Sequence, residues 1–360
     1  MSRWPGETDL TYPEVFSCIP AHAKYGGKPG QLSDAQTAQY YKEGFLVVKE
    51  FFRKEELDPA REAINQLVDE LAQKLFEAGK IKDLYESEGY FTRLIKIEED
   101  FPGANIILHK TEKLPQAFRN LWSNERLLNV VEQFVGPDIG GHPVWNLRTK
   151  TPNNEATTVP WHQDSAYMAK DSYGKHILTA WIPLVDANEV NGCMQMLRAG
   201  HKLGKVARHQ CCVGPTWYVE TTKEEMERSL GVNVEEDIVT CPIPYGGMLL
   251  FNNITPHRSL QNSSNGVRWS MDLRWYNPYQ GEGFWGLKKG VVMRLKDKPG
   301  LKIDWEPFEA ENRNALQATT ISSEKLDEFD TTVPGPWMKQ WEIVNHNRHT
   351  AAMMMEQSAV

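Results

Sequence analysis

The stretch Trp161-His162-Gln163-Asp164 sets an imidazole and a carboxylate two positions apart. On an extended strand, alternate side chains leave the same face, so His162 and Asp164 would reach one metal ion together. In a chain with ten histidines the triplet alone decides little. His257, which follows the apolar run Met248–Phe251, is the best third ligand. Two imidazoles and a carboxylate on one side of an ion leave positions open on the other, which suits non-haem Fe(II) working with O2. His201, in Arg198-Ala-Gly-His201, is a rival, but a loop histidine near glycine more often donates a hydrogen bond or touches substrate.

Eleven residues beyond His257 stands Arg268. It opens Arg268-Trp-Ser270-Met-Asp272-Leu-Arg274-Trp, where polar and apolar residues alternate as in a strand with one face of each kind. An arginine fork beside an iron site is suited to a bidentate grip on a carboxylate.

At His162-x-Asp164, His257 and Arg268 the chain resembles the phytanoyl-CoA dioxygenase family of iron(II)- and 2-oxoglutarate-dependent oxygenases. Tyr41-Lys-Glu-Gly-Phe-Leu-Val-Val48, Trp181-Ile-Pro-Leu-Val-Asp-Ala-Asn-Glu-Val-Asn-Gly-Cys193 and Gln261-Asn-Ser are similar to family flanks, so the likeness runs over residues 32–276. The resemblance implies an α+β chain with a mainly β core, a double-stranded β-helix (jelly roll, cupin-like) carrying the metal at one mouth. It implies Fe(II) on His162, Asp164 and His257, and 2-oxoglutarate chelating the iron with its distal carboxylate on Arg268. Ser270, on the same strand face, would add a hydrogen bond to that carboxylate. The implied reaction is hydroxylation of an unactivated C–H bond of a small molecule by O2, with release of succinate and CO2. Desaturation, cyclisation, epimerisation and endoperoxidation at the same centre stay open. The presence of Asp164 disfavours halogenation, which needs that position empty for chloride. From other classes, a cupin-like metal isomerase or hydrolase and a binding module with a decayed site are the rivals. Arg268 with Ser270 argues against the first, and the presence of all three ligands against the second.

These residues need elements to hold them. Ser33 with Gln36 reads as a capping box opening a helix that ends before Gly44, and Gly44–Val48 as a short strand. Apolar positions from Leu57 to Leu75 keep a helical period across residues 54–78. A second helical stretch is expected over 114–135, stopped by Gly136-Pro137. Val144–Lys150 alternates, with Asn146 and Arg148 on one face. In the resembled family this strand contacts cofactor and substrate, which the resemblance extends to Asn146 and Arg148; a solvated edge strand is the plainer alternative. Residues 151–160 are a turn-rich connection to the iron motif. Residues 165–175 form a candidate substrate loop with Tyr167, Met168 and Tyr173 as apolar contacts. His176–Leu184 is a buried strand whose Thr179 and Trp181 either flank the co-substrate or belong to the core. Asn191-Gly192 marks a hairpin-type turn, and Arg198 stands where the resembled family usually has proline. Pro242–Phe251 returns to strand character, and Asn262 either pins its turn or lies near the metal entrance. A helix is expected over 336–345, and Phe284, Trp285 and Trp337 are candidates for closing over substrate or simply for packing.

The organisation expected is an irregular arm over 1–30, an oxygenase domain over 31–280 with an insertion near 202–240, and a C-terminal wrap or lid over 281–360. With 360 residues and 40% hydrophobic content, the chain suits a globular enzyme. No apolar run approaches a membrane span, and Met1-Ser-Arg-Trp-Pro-Gly-Glu lacks a secretory signal. Five cysteines without Cys-x-x-Cys spacing read as reduced thiols, and Ser358-Ala-Val360 is not a peroxisomal signal, so the cytoplasm is expected. A net charge of −8 argues against nonspecific nucleic-acid binding but leaves anionic small substrates open.

Overall fold

The computed structural model describes residues 4–322 and 327–358, with side chains described as far as residue 354. Residues 1–3 of the expected arm, 323–326 of the expected wrap, and Ala359-Val360 of the terminal tripeptide lie outside the described residues. Among the described residues the strands are, in chain order, β1 (Phe45–Val48), β2 (Ile139–Gly141), β3 (Asn146–Lys150), β4 (Leu178–Pro183), β5 (Met194–Leu197), β6 (Gln210–Cys211), β7 (Val219–Glu220), β8 (Ile238–Cys241), β9 (Met248–Asn252), β10 (His257–Ser259), β11 (Arg268–Tyr276), β12 (Val291–Arg294) and β13 (Glu342–Ile343).

The larger sheet runs β1-β9-β4-β11-β2-β12, with β3 also on β11, and all its pairings are antiparallel. The smaller sheet, β10-β5-β8, is antiparallel too and supplies the opposite wall. Alternation decides what each face of the larger sheet does. On β11, Trp269, Met271, Leu273 and Trp275 join the main apolar core with Leu46, Ala180, Ile182 and Leu250. Arg268 and Asp272 face a cavity between the sheets, and Arg274 an adjoining one. The polar face of this strand is therefore the interior of the barrel, and its apolar face is the one that carries helices.

The helix Lys54–Glu77 covers that apolar face. Leu57, Ala60, Ala63, Ile64, Leu67, Val68, Leu71, Ala72 and Leu75 are its buried stripe, as the 3.6-residue period requires. Each fully buried Leu or Ile stabilises by roughly 1.5–3 kcal/mol relative to exposure, which fixes the helix against the sheet. The shorter helix Asp34–Glu43 begins with the expected capping box, both reciprocal hydrogen bonds being present, and ends at Gly44 with φ 91°. A Cβ at Gly44 would lie 2.4 Å from the His201 ring, so glycine is required there for space as well as conformation.

Several elements differ from the sequence expectation. The helix over 114–135 is two helices, Gln116–Trp122 and Glu125–Val135. Asn124 breaks it by accepting from the N–H groups of Arg126 and Leu127 while donating to Glu56 at 2.7 Å. Residues 336–345 hold only a 3-10 turn, Pro336–Lys339, followed by β13, which pairs with β6. Trp337 and Trp341 donate to the carbonyls of Trp217 and Ala166, and those contacts set the backbone against helix. The strand expected over 242–251 is regular only from Met248, Ile243 making an isolated bridge with Ala187. The 202–240 stretch holds a helix, Lys223–Leu230, and closes on β8, a strand of the smaller sheet. The N-terminal arm carries short helical turns at Pro13–Phe16 and Ala21–Ala23, with Phe16 and Ala23 buried. No helix among the described residues is long and apolar enough to cross a membrane.

Candidate metal centre

His162 and His257 face each other across the two sequence-distant segments. Their backbones exchange both hydrogen bonds, at 3.0 and 2.9 Å, and this single bridge holds the imidazole centroids 4.2 Å apart. His257 opens β10, but the expected strand at 161–164 is not there: Asp164 begins a 3-10 turn, Asp164–Tyr167. Gln163 between them is extended (φ −109°, ψ 134°), so alternation still holds across the one residue that matters. The Gln163 side chain turns the other way, donating to the carbonyls of Lys205 and Ile254 and accepting from the N–H of Ala207. That anchoring stops the strand while keeping both ligands on one side.

The proton positions follow from the hydrogen bonds. His162 Nδ1 lies 2.8 Å from the Pro160 carbonyl and His257 Nδ1 2.9 Å from that of Thr255. A carbonyl only accepts, so each Nδ1 donates, and in the neutral ring it is Nε2 that carries the lone pair. Both lone pairs converge on Asp164 Oδ1, at 3.6 and 3.8 Å. The other carboxylate oxygen, Oδ2, is occupied. It accepts from Arg274 Nε and Nη2 at 3.0 and 2.8 Å and from the Thr179 hydroxyl at 3.3 Å. Burial pushes the Asp164 carboxyl up, but Arg274 and the two histidines outweigh it and hold the group well below the usual carboxylate range. Burial and the neighbouring His162 bring His257 down to about 3. Three buried metal-ligating side chains whose donor atoms lie within 4.8 Å of one another are a site for a cation. Two nitrogens and one oxygen suit Fe(II).

Two lobes of empty space, about 620 and 640 Å³, share His162. In the first, Arg268 is buried at 3% exposure and donates to Ser270 Oγ at 2.7 Å. Its guanidinium lies 5.1 Å over the Trp181 ring, and its Nε has no partner. No ion pair to Arg268 exists among the described residues, and burial lowers it to about 10. A buried guanidinium without a counter-charge is costly and is explained by an anion that docks on it. Lys150, buried beside it in the same lobe, is driven well below its ordinary value by burial and by Arg268 and Arg148.

The second lobe is lined by Asn146, Arg148, Tyr167, Met168, Phe284 and Trp337 among others. Asn146 and Arg148 thus point into the barrel, not to solvent. Arg148 lines both lobes and donates to Asp272 at 2.7 Å. Thr179 lines neither lobe and bonds Asp164 instead of flanking a co-substrate. Tyr173 and His201 are not brought to the site. The Tyr173 hydroxyl donates to the Gly6 carbonyl and accepts from Gln340, tying the arm to the C-terminal segment. His201 Nε2 donates to the Tyr41 carbonyl at 2.9 Å, at the end of the helix Asp34–Glu43. Trp285 lines neither lobe; it donates to the Tyr167 carbonyl at 3.2 Å. Asn262 pins its turn by donating to the carbonyls of Lys150 and Gly266.

Sequence reasoning passed over Arg274, Trp217, Tyr218 and Arg313, all of which line the second lobe. Arg274 did leave a signal, since it shares the polar face of β11 with Arg268. The other three sit in segments whose spacing carries no period.

The family model described as phytanoyl-CoA dioxygenase (PhyH) matches residues 40–270. Among curated proteins, the chain is 26% identical over 246 residues to the ectoine dioxygenase of Halomonas elongata, covering 65% of this chain and 67% of that one. It is 25% identical over 204 residues to the 1-deoxypentalenic acid 11-beta-hydroxylase of Streptomyces arenae, covering 51% and 68%. A phytanoyl-CoA dioxygenase domain-containing protein of Danio rerio is 22% identical over 277 residues, covering 66% and 87%. Among solved structures, EctD from S. alaskensis with 2-oxoglutarate and 5-hydroxyectoine superposes with a TM-score of 0.51 at 15% identity, covering 85% and 93%. That likeness is one of fold, and it agrees with the double-stranded β-helix expected from the resemblance. The chain belongs to the phytanoyl-CoA dioxygenase family and is an iron(II)/2-oxoglutarate dioxygenase-like enzyme.

Proposed function

We propose that this protein hydroxylates an unactivated C–H bond of a small organic substrate, taking up O2 and 2-oxoglutarate and releasing succinate and CO2. The observation that carries the reading is the buried, unpaired Arg268 in a lobe that begins at the His162, Asp164 and His257 triad. His162 Nε2, His257 Nε2 and Asp164 Oδ1 would hold the metal. Arg274 and Thr179 occupy Oδ2, so Asp164 offers one oxygen and leaves room for other ligands. Fe(II) with 2-oxoglutarate and O2 supplies the oxidising equivalents when bound; the chain supplies position and dryness.

Arg268 and Ser270 would hold the distal carboxylate of 2-oxoglutarate; Arg268 already donates to Ser270 Oγ and lies over the Trp181 ring. The second lobe receives the substrate, and its aromatic wall of Trp217, Tyr218 and Trp337 keeps bulk water from the reacting carbon. Tyr167 does not titrate in this role, because its hydroxyl accepts from the Val219 N–H at 3.0 Å and burial raises it well above its ordinary value.

Iron-loaded protein, prepared without oxygen and then aerated with 2-oxoglutarate and candidate substrates, is expected to release succinate at a rate that the true substrate stimulates. Arg268→Ala is expected to raise the Kd for 2-oxoglutarate by at least about 10-fold, the loss of a charge-assisted pair. A chain whose 2-oxoglutarate binding ignores Arg268, or that binds neither ferrous ion nor 2-oxoglutarate, overturns the reading.

A further inference from the structure

The two lobes hold more positive charge than the metal and 2-oxoglutarate account for. Arg148, Arg268, Arg274 and Arg313 line them, against the carboxylates of Asp164 and Asp272. One further carboxylate, Glu112, lies 3.6 Å from Arg313 but is already matched by Lys288 at 3.3 Å and by Asn314 at 2.9 Å. A divalent ion and a dicarboxylate cancel each other, so the excess of guanidinium over carboxylate survives their binding. Buried charge that stays uncompensated is strongly unfavourable, and the compensation must enter from outside.

Two of the four guanidinium groups have donors to spare. Arg268 is matched to 2-oxoglutarate above, and Arg274 is held by Asp164 and the Val144 carbonyl. Arg313 is only 4% exposed. One Nη donates to the Trp145 carbonyl at 2.7 Å and the other to Asn146 Oδ1 at 3.3 Å, which fixes the plane of the fork, and Nε has no hydrogen-bond partner. Arg148 spends its Nε on Asp272, with no hydrogen bond at either Nη among the described residues. His109 lines the same lobe and is brought to about 3 by burial and then by Arg148 and Arg313, so it adds no charge of its own. Asn314, Gln317, Tyr167 and Tyr218 also line the lobe, and its apolar part is formed by Met168, Phe284, Trp217, Val333 and Trp337. Arg313 lies outside residues 40–270, the part the family model matches, so this feature belongs to the chain's own C-terminal segment.

We propose that the substrate is a small organic anion, its acidic head held by Arg313 and Arg148 and its apolar body laid against Phe284, Trp217 and Trp337. The proposal rests on the oxygenase reading, which assigns this lobe to the substrate. Carboxylate and phosphonate heads share the required chemistry, and the body reaches from the head toward the Asp164 side of the lobe.

The test is equilibrium binding to the full-length protein loaded with Zn2+ in place of iron, read by tryptophan fluorescence because Trp217 and Trp337 line the lobe. The probes are octanoate, octylphosphonate and octanol, which share a body and differ in the head. At least one acid is expected to bind about 10-fold or more tightly than octanol, the better acid identifying the head. Arg313→Gln is expected to remove that preference while leaving octanol binding unchanged, and Arg313→Lys to retain part of it. Equal binding of all three probes by the unaltered protein overturns the proposal, as does an Arg313→Gln protein that keeps the preference. Should Arg313→Gln not fold, the head-group comparison on the unaltered protein and Arg313→Lys still decides. A parallel titration of 2-oxoglutarate into the anaerobic ferrous protein separates the two readings: its failure sinks the oxygenase assignment, whereas the change in acid preference on altering Arg313, with Arg268 and the metal site untouched, reports on the second lobe.

Discussion

Arg274 binds the carboxylate oxygen that the imidazoles do not face, and in doing so would limit a bound metal to the other oxygen of Asp164. Left free, Oδ2 could swing toward the ion and close a coordination position that co-substrate or O2 needs. Thr179 helps from the neighbouring strand, at a longer distance and without charge. Arg274 is therefore a positioning residue, acting through Asp164. Arg274→Gln is expected to weaken metal binding by about 10- to 100-fold, the usual scale for losing a partner of a metal ligand. Competition with a chelator of known affinity measures this directly, and Thr179→Val should move the same constant by less. Unaltered metal affinity in Arg274→Gln would show that Asp164 holds its orientation without help.

At the scale of the element, β11 does two jobs because its nine residues alternate without a break. Trp269, Met271, Leu273 and Trp275 fasten it to the helical layer, and that rigidity is passed to Arg268 and Arg274 on the opposite face. A loop could not hold two guanidinium groups so reliably. The break at Asn124 is a second element-scale feature, since it separates the helix Gln116–Trp122 from Glu125–Val135 and caps the latter. Its side chain satisfies two otherwise orphaned N–H groups and reaches Glu56 on the long helix. Asn124→Ala is expected to cost about 1 kcal/mol, the worth of an N-cap. This should appear as a lower urea midpoint with metal affinity unchanged. A midpoint equal to that of the parent would mean that solvent replaces the cap without loss.

Across the whole molecule, stability is linked to pH through histidines that are buried neutral. His142 accepts from the Val144 N–H and donates to the Glu282 carbonyl, so both ring nitrogens are in use without a second proton. His176 Nε2 lies 3.1 Å from the Tyr40 hydroxyl. Burial brings each to about 3. With the folded value below the unfolded one of about 6.5, the unfolded chain binds more protons between those limits. The stability is complete above about pH 6.5 and is lost as pH falls toward 3. At pH 5 each histidine withdraws about 2 kcal/mol relative to pH 7. The urea midpoint of the metal-free protein should therefore fall between pH 7 and pH 5, and His142→Gln should flatten that fall. A midpoint that stays level over this interval would refute the linkage.

The sequence by itself determined the His162-x-Asp164 pair, the long helix Lys54–Glu77 and the Ser33 capping box, because each is written in residue type and short-range period, while His257 and Arg268 were legible as its companions only through the family resemblance. A carboxylate and an imidazole flanking one extended residue remain neighbours whatever surrounds them, and an apolar stripe remains a stripe. The partners of those residues were decided only by tertiary structure. Arg274 meets Asp164 across 110 positions of chain, and Arg313 reaches Asn146 across 167. His201 and Tyr173 had chemistry suited to a site, yet the fold turned them toward Tyr41 and Gly6. Spacing along a chain specifies which face a side chain leaves. What it meets there depends on which distant segment the packing of the core brings opposite, and no local period encodes that.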